Sequence, residues 1–375
     1  MFSKLPSLSR FVFASRACKV NSLASSSRRS FSSNAGDPVR KLDIENASSP
    51  HGNFTVDKLR ILPRPDPQSI PKEIGGFGTL CSDHMLEVSF KGGEWDVPTI
   101  RGVEDLKLHP FAKVLHYSTT IFEGLKAFRG PDGKIRLFRM DKNMERMRSS
   151  AKRAALPDFD PTQLALMIEE LVRTEKDWVP DDLGTSLYIR PFLMGTDPYL
   201  GVSTPKEARL CVVCSPVGPY YATGWKPVTL FADSAHIRAA PGGVGSYKMG
   251  CNYAPTIAIA DHAAEQGAQQ VLWLWGEKQW LTEAGTMNVF IFWKTPEGEL
   301  ELVTPPLTDG LILPGVTRDS ILTLAKEWGE FKVSERYPTM DEIAAANREG
   351  RLLEMFGAGT AAVVAPVSTI IHNTK

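Results

Sequence analysis

Apolar and polar positions alternate over Met85–Phe90, Ser118–Phe128 and Ile135–Arg139, a period of two that predicts strands, and Pro131-Asp132-Gly133 supplies a hairpin turn between the last two. The period then lengthens. From Asp141, placed to cap, Met144, Met147, Ala151 and Ala154 recur at helical spacing; from Asp160-Pro161 a second helix turns Leu164, Ile168, Leu171 and Val172 inward. Strands at Ser186–Phe192 and Ala208–Ser215 complete the first half, before Pro216, Gly218, Pro219 and Gly224 break the pattern. The second half alternates short apolar strands (Val228–Phe231, Val271–Trp275, Val289–Trp293, Leu300–Val303, Leu352–Phe356) with helices at Ala254–Gln266, Arg318–Trp328 and Asp341–Arg348. Such mixing predicts an α/β (α+β) protein of two domains, 75–217 and 229–375, joined by a linker over 218–228. Prolines at 63, 65, 67 and 71 make 36–74 an extended lead-in.

Composition narrows the function classes. Of 375 residues 42% are apolar, ample for two cores, and 43 basic side chains balance 43 acidic ones, so no global field favours nucleic acid or an acidic membrane. No run of about 18 apolar residues occurs, the length a membrane span requires. Five scattered cysteines argue against a secreted disulfide framework, and Cys211-x-x-Cys214 lies inside an apolar strand with no second pair to complete a metal site, so no metal is expected. The first 35 residues differ in kind: Lys4, Arg10, Arg16, Lys19, Arg28 and Arg29, many serines and no acid before Asp37 are the make-up of a disordered mitochondrial transit peptide, which addresses the protein to the matrix.

The candidate chemistry centres on Gly242-Gly243-Val244-Gly245-Ser246-Tyr247-Lys248-Met249-Gly250. A phosphate loop of the Walker type needs Gly before its lysine and Ser or Thr after it; Tyr247 and Met249 occupy those places. What remains is a lysine in a crowded, partly apolar setting, where the ammonium is disfavoured and the amine can attack an aldehyde, with a solvated loop lysine as the equal alternative. A pyridoxal cofactor would also need a carboxylate for its ring nitrogen, and Glu283, in a small-residue turn between apolar strands, is the candidate, unless it is simply an exposed turn acid. Amide donors for a phosphate are available in Leu313-Pro314-Gly315-Val316-Thr317, at the mouth of a helix, and in Phe356-Gly357-Ala358-Gly359-Thr360. Arg146 points away from Met144 on its helix, which by pattern alone makes it a solvated charge. Tyr188 and Arg190 share a strand face, suited either to grip a carboxylate or to form a surface salt bridge.

Taken in order, HYSTTIFEGLKAFRG (116–130), LYIRPFLMGTDPYLGV (187–202), GSYKMGCNYAPT (245–256), LTEAGTMNVF (281–290), LILPGVTR (311–318) and FGAGTAAVVAPV (356–367) resemble the branched-chain amino acid aminotransferases, fold-type IV pyridoxal phosphate enzymes, from about Gly75 to Pro366. The resemblance implies a small N-terminal α/β domain and a larger pseudo-barrel domain. It implies pyridoxal 5'-phosphate held as a Schiff base by Lys248, with Glu283 on the pyridine nitrogen, Tyr253 on the phenolic oxygen, and Arg146, Val316, Thr317 and Thr360 around the phosphate. It assigns Tyr117, Phe122, Tyr188 and Arg190 to the substrate pocket, with the Thr360-Ala361 amides near the α-carboxylate. The implied reaction exchanges the amino group of leucine, isoleucine or valine with 2-oxoglutarate; another fold-type IV activity, a D-amino acid transaminase or a lyase, or an inactive relative, is the alternative. In the family Tyr117 reaches the neighbouring subunit's site, so a homodimer is implied. Two departures stand out. Ala362 and Ala365 replace a redox-sensitive C-x-x-C of mammalian members, and the chain stops at Lys375 where the family carries a further segment, so a truncated large domain is expected.

Overall fold

The period-two segments of the first half pair into one sheet. In the computed structural model, which describes residues 54–71, 73–218 and 226–372 and the backbone of 12–14, its strand order is 60–61, 99–102, 84–91, 208–217, 186–195, 125–129 and 135–137. Strand 94–95 pairs with 84–91 and strand 120–122 with 186–195. All the pairings are antiparallel except that of 60–61 with 99–102. The short α1 (Lys113–Tyr117) precedes the crossing, and α2 (Met140–Arg153) and α3 (Pro161–Thr174) pack against one another in the sheet's core. Met144, Met147 and Ala151 of α2 and Leu164, Ile168 and Leu171 of α3 are fully buried there, each larger side chain contributing about 1.5–3 kcal/mol. Asp160 caps α3 as expected, accepting from Thr162 N–H at 2.7 Å and Gln163 N–H at 3.2 Å.

The second half closes on itself. Strands 228–233, 270–275, 280–284, 287–294, 352–359 and 363–372 pair in a ring, because 352–359 bonds both 287–294 and 363–372 while 363–372 bonds 228–233. Closure leaves these strands no free edge. Strands 300–304 and 332–335 extend the sheet outside the ring, and α4 (Ile257–Glu265), α5 (Val316–Trp328) and α6 (Met340–Arg348) connect the strands.

Several boundaries differ from the periodicity. The single strand expected over Ser118–Phe128 is broken: Ser118 ends α1 with φ 49°, and Glu123-Gly124 separates 120–122 from 125–129. Strand 135–137 stops short because Arg139, not Asp141, caps α2, with φ 47° and no side-chain bond. The helix expected from Ala254 opens as a single 3-10 turn, Ala254–Thr256, with Pro255 in it, before α4 begins at Ile257. The lead-in is not wholly irregular: Phe54 is buried in the core and Arg60–Ile61 pairs with Thr99–Ile100. The proposed transit peptide lies outside the described residues except for the backbone of Val12–Ala14, which pairs in parallel with Thr369–Ile371, an ordering its composition does not predict. The linker at 219–225 also lies outside them. Cys211 and Cys214 are buried in strand 208–217, and burial pushes the Cys211 thiol up to about 12.

Candidate active site

Lys248 is fixed at its backbone before its side chain is considered. Its N–H donates to Ser150 Oγ on α2 at 3.0 Å, and its carbonyl accepts from Phe122 N–H at 3.1 Å, so the loop is stitched to both elements of the first domain. Behind it the glycine turn is compact: Asn252 donates to the carbonyls of Val244 at 2.5 Å and Tyr247 at 2.8 Å. A Cβ at Gly245 would stand 2.8 Å from the carbonyl oxygens of Gly310 and Leu311, a clash only glycine avoids. The ammonium end enters a cavity of about 290 Å³, with Nζ 3.0 Å from Tyr253 Oη and over the Phe122 ring at 4.6 Å from its centroid. Burial, seconded by the Arg146 charge and opposed by Glu123, lowers the Lys248 amine to about 8. A good fraction of neutral amine is therefore available near neutrality, which a solvated loop lysine lacks.

Glu283, 3% exposed, also lines the cavity. Its Oε1 accepts from Asn288 Nδ2 and Leu313 N–H, each at 3.1 Å, and its Oε2 lies 2.7 Å from Arg238 Nε, close in distance though off the N–H direction. Burial raises this carboxyl; Arg238 and the Leu313 amide oppose the rise and favour its ionised form. Arg238 also donates to Gly245 O at 3.0 Å and Leu311 O at 2.9 Å, tying the acid to the lysine loop. Burial likewise raises the Tyr253 phenol, keeping it a protonated donor.

The cavity wall also carries a buried cation beside a helix N-terminus. Arg146 is buried and held in a two-bond fork by the fully buried Glu123, Nε to Oε1 and Nη2 to Oε2 both at 2.7 Å, with Nη1 donating to Pro314 O at 2.9 Å. The periodicity that sent Arg146 into solvent fails because α2 is covered on a second face: Asn143, Arg146 and Ser150 are buried as well as the methionines. Beside it α5 opens on Gly315 without a side-chain cap, so the first amides of Val316 and Thr317, which line the cavity, keep their N–H groups available. A Cβ on Gly315 would collide with Asn288 Oδ1. Gly359, Thr360 and Ala361 complete this wall.

At the mouth, Tyr188 and Arg190 share one face of strand 186–195, as alternation predicts, and Arg190 Nη2 donates to Tyr188 Oη at 2.9 Å. The guanidinium stacks over Phe122 at 4.9 Å, and Phe77 meets the Tyr188 ring edge-on at 4.9 Å. Arg190 Nε is buried without a hydrogen-bond partner among the described residues. Lys248, Tyr253, Glu283, Arg146, Val316, Thr317, Thr360, Phe122, Tyr188, Arg190 and Ala361 thus surround one cavity. Tyr117 does not join them: it ends α1, 40% exposed, its hydroxyl donating to Leu200 O. Sequence reasoning missed Glu123, Arg238, Asn288 and Phe77. Glu123 carried a usable signal, an acid between an apolar strand and Gly124 with no packing role, the same mark that singled out Glu283.

An amine of lowered basicity, a buried carboxylate and a separate anion cradle in one cavity define an enzyme that works through a carbonyl bound to its lysine. The chain belongs to the Amino-transferase class IV family, whose model matches residues 120–370. It is 55% identical over 300 residues to the cytosolic branched-chain-amino-acid aminotransferase of Caenorhabditis elegans, covering 80% of this chain and 72% of that protein. To the mitochondrial enzyme of the same name from Bos taurus it is 49% identical over 320 residues, covering 85% and 81%. The two-domain α/β fold is also that of a T.th. branched-chain amino acid aminotransferase solved with pyridoxamine 5'-phosphate: TM-score 0.60 at 27% identity, over 76% of this chain and 85% of that one.

Proposed function

We propose that this enzyme is a pyridoxal 5'-phosphate-dependent branched-chain aminotransferase, moving the amino group of L-leucine, L-isoleucine or L-valine to 2-oxoglutarate and back. The observation that carries the reading is a single cavity that gathers the buried acid Glu283, Arg146 with the first residues of α5, and Lys248 Nζ bonded to Tyr253 Oη. Those residues fit the cofactor. Glu283, whose ionised form Arg238 favours against the effect of burial, suits a protonated ring nitrogen; Tyr253, a donor, suits the phenolic oxygen; Arg146, the Val316 and Thr317 amides and Thr360 suit the phosphate. When bound, pyridoxal 5'-phosphate supplies the electron sink for loss of the Cα proton.

The chain's own residues do the rest. Lys248 Nζ would hold the cofactor through its aldehyde carbon, and as a free amine the same nitrogen would take the Cα proton and hand it on. Its loop, held by Ser150 and Phe122, keeps that nitrogen in place through the exchange. Phe122 and Phe77 offer an apolar wall to a branched side chain, while Tyr188 and Arg190 receive the distal carboxylate of glutamate. We further assign the protein to the mitochondrial matrix, on the basic, serine-rich first 35 residues, and to a homodimer in which Tyr117, turned away from its own cavity, serves the neighbouring one. The test is direct. Purified protein with added cofactor should convert L-leucine and 2-oxoglutarate to 4-methyl-2-oxopentanoate and glutamate, and leave D-leucine untouched; no product from L-leucine sinks the assignment.

A further inference from the structure

Lys126 is not among the residues that line the active cavity, yet it is only 7% exposed and forms no ion pair among the described residues. Its Nζ donates to Ala361 O at 2.8 Å, across 235 positions of sequence and from the first domain to the second. Burial without a counter-charge lowers this amine to about 8. A buried lysine spent on one carbonyl is costly, so its acceptor matters.

That acceptor sits in the turn Thr360–Ala362, which joins strands 352–359 and 363–372 and contributes three residues to the cavity wall. The turn is under strain: Val363 has φ 59°, a region that β-branched residues rarely enter. A second cavity of about 150 Å³, lined by Lys126, Asn143, Thr317, Thr360 and Val363 among others, borders the same turn. The N–H groups of Thr360, Ala361 and Ala362 donate to no acceptor among the described residues. Across a trans peptide the N–H points opposite to the C=O. With the Ala361 carbonyl turned to Lys126, the Ala362 N–H is turned away from it, on the side where Ala361 and Ala362 face the cavity.

We propose that Lys126 is a positioning residue, whose clamp on the Ala361 carbonyl holds the Thr360–Ala362 turn with its free amides toward the cavity to receive the substrate's α-carboxylate. The inference rests on the reading of the site as an amino acid aminotransferase. It predicts an effect confined to ligands that carry that carboxylate.

The test compares two ligands of the cofactor-loaded enzyme by spectral titration: 4-methylpentanoate, which has the side chain and carboxylate of leucine without its amine, and 3-methylbutylamine, which has the side chain and amine without the carboxylate. In Lys126→Met the Kd of the acid should rise about tenfold, and that of the amine by less than about twofold. Lys126→Arg, which keeps a cation able to reach the same oxygen, should restore most of the acid's affinity. Equal loss for both ligands, or loss for neither, overturns the proposal. Should Lys126→Met not fold, Val363→Gly loosens the turn from its other end and should give the same selective loss; an unselective result there is equally fatal. Absence of leucine transamination by the unsubstituted enzyme would instead strike the functional reading, leaving the ligand comparison to judge the clamp.

Discussion

The surroundings of Glu283 and of Arg190, two charged groups of one cavity, are finished to different degrees. Around Glu283 the polar groups are supplied in advance: Asn288, the Leu313 amide and Arg238 meet its oxygens, and Arg238 is itself tied to two carbonyls. Around Arg190 they are not. One Nη bonds Tyr188, the ring faces hold the guanidinium in place, and Nε is buried with no acceptor among the described residues. An acid whose partners are already in place suits a resident cofactor, since preorganised dipoles cost nothing to reorient during reaction. An arginine short of an acceptor suits a visitor that brings its own carboxylate, and can still tolerate a visitor that brings none.

The comparison breaks first at the amine that shares the cavity with both groups. Lys248→Ala should leave the cradle and the acid standing, so the protein should still retain pyridoxal phosphate through its phosphate while losing the visible absorbance of the lysine-bound form. Turnover of leucine should fall by about three orders of magnitude or more. Retention of more than about a tenth of the activity would mean that another amine does the work.

The less finished group, Arg190, gives a smaller and more selective effect. In Arg190→Gln the KM for 2-oxoglutarate should rise about 10- to 100-fold, the range expected for one charged hydrogen-bonding partner, while kcat/KM for leucine in the first half-reaction stays within about threefold. Initial rates with each substrate varied separately check this. A parallel loss for both substrates would show that Arg190 braces the pocket and does not read the distal carboxylate.

Legibility in the sequence divides along the same line. Residues marked by local chemistry were readable: Lys248 from its glycine turn, the α5 amides from Pro314-Gly315, Glu283 from an acid lacking any packing role. Strand alternation put Tyr188 and Arg190 on one face correctly. What could not be read were partners that only the fold brings together. Glu123 and Arg146 lie 23 positions apart and Arg238 and Glu283 lie 45 apart, on elements whose packing no period encodes. Helix periodicity misplaced Arg146 because it assumes one buried face, whereas α2 is covered on two. Ring closure was beyond periodicity for the same reason: strand 363–372 is a long apolar run, but only its pairing with 228–233 and 352–359 makes a barrel of it.

Glu123 sharpens the contrast from the buried cation. Its carboxylate is fully buried against Arg146, and the Arg146 charge holds it below the usual carboxylate range despite its burial. The pair meets an incoming phosphate as a neutral unit, and the Glu123 charge also opposes the lowering of the Lys248 amine. In Glu123→Gln the negative charge goes and one Arg146 donor loses its acceptor, so two signs follow. With less negative charge nearby, the ammonium of Lys248 is less favoured, and its pKa moves further below the present value of about 8. The rate at which apoprotein captures pyridoxal phosphate follows the neutral amine, so its pH midpoint should shift toward acid. At pH 7 the gain is bounded at about tenfold, because near a tenth of an amine is already neutral one unit below its pKa. Meanwhile Arg146 becomes a buried cation lacking its counter-ion, which destabilises the apoprotein until a phosphate supplies the missing charge. The gap in Tm between apo- and cofactor-loaded protein should therefore widen. Stopped-flow capture across pH 6–9 and paired melting curves measure both; an alkaline shift, or a narrower gap, would mean that Glu123 does not set the charge of this part of the cavity.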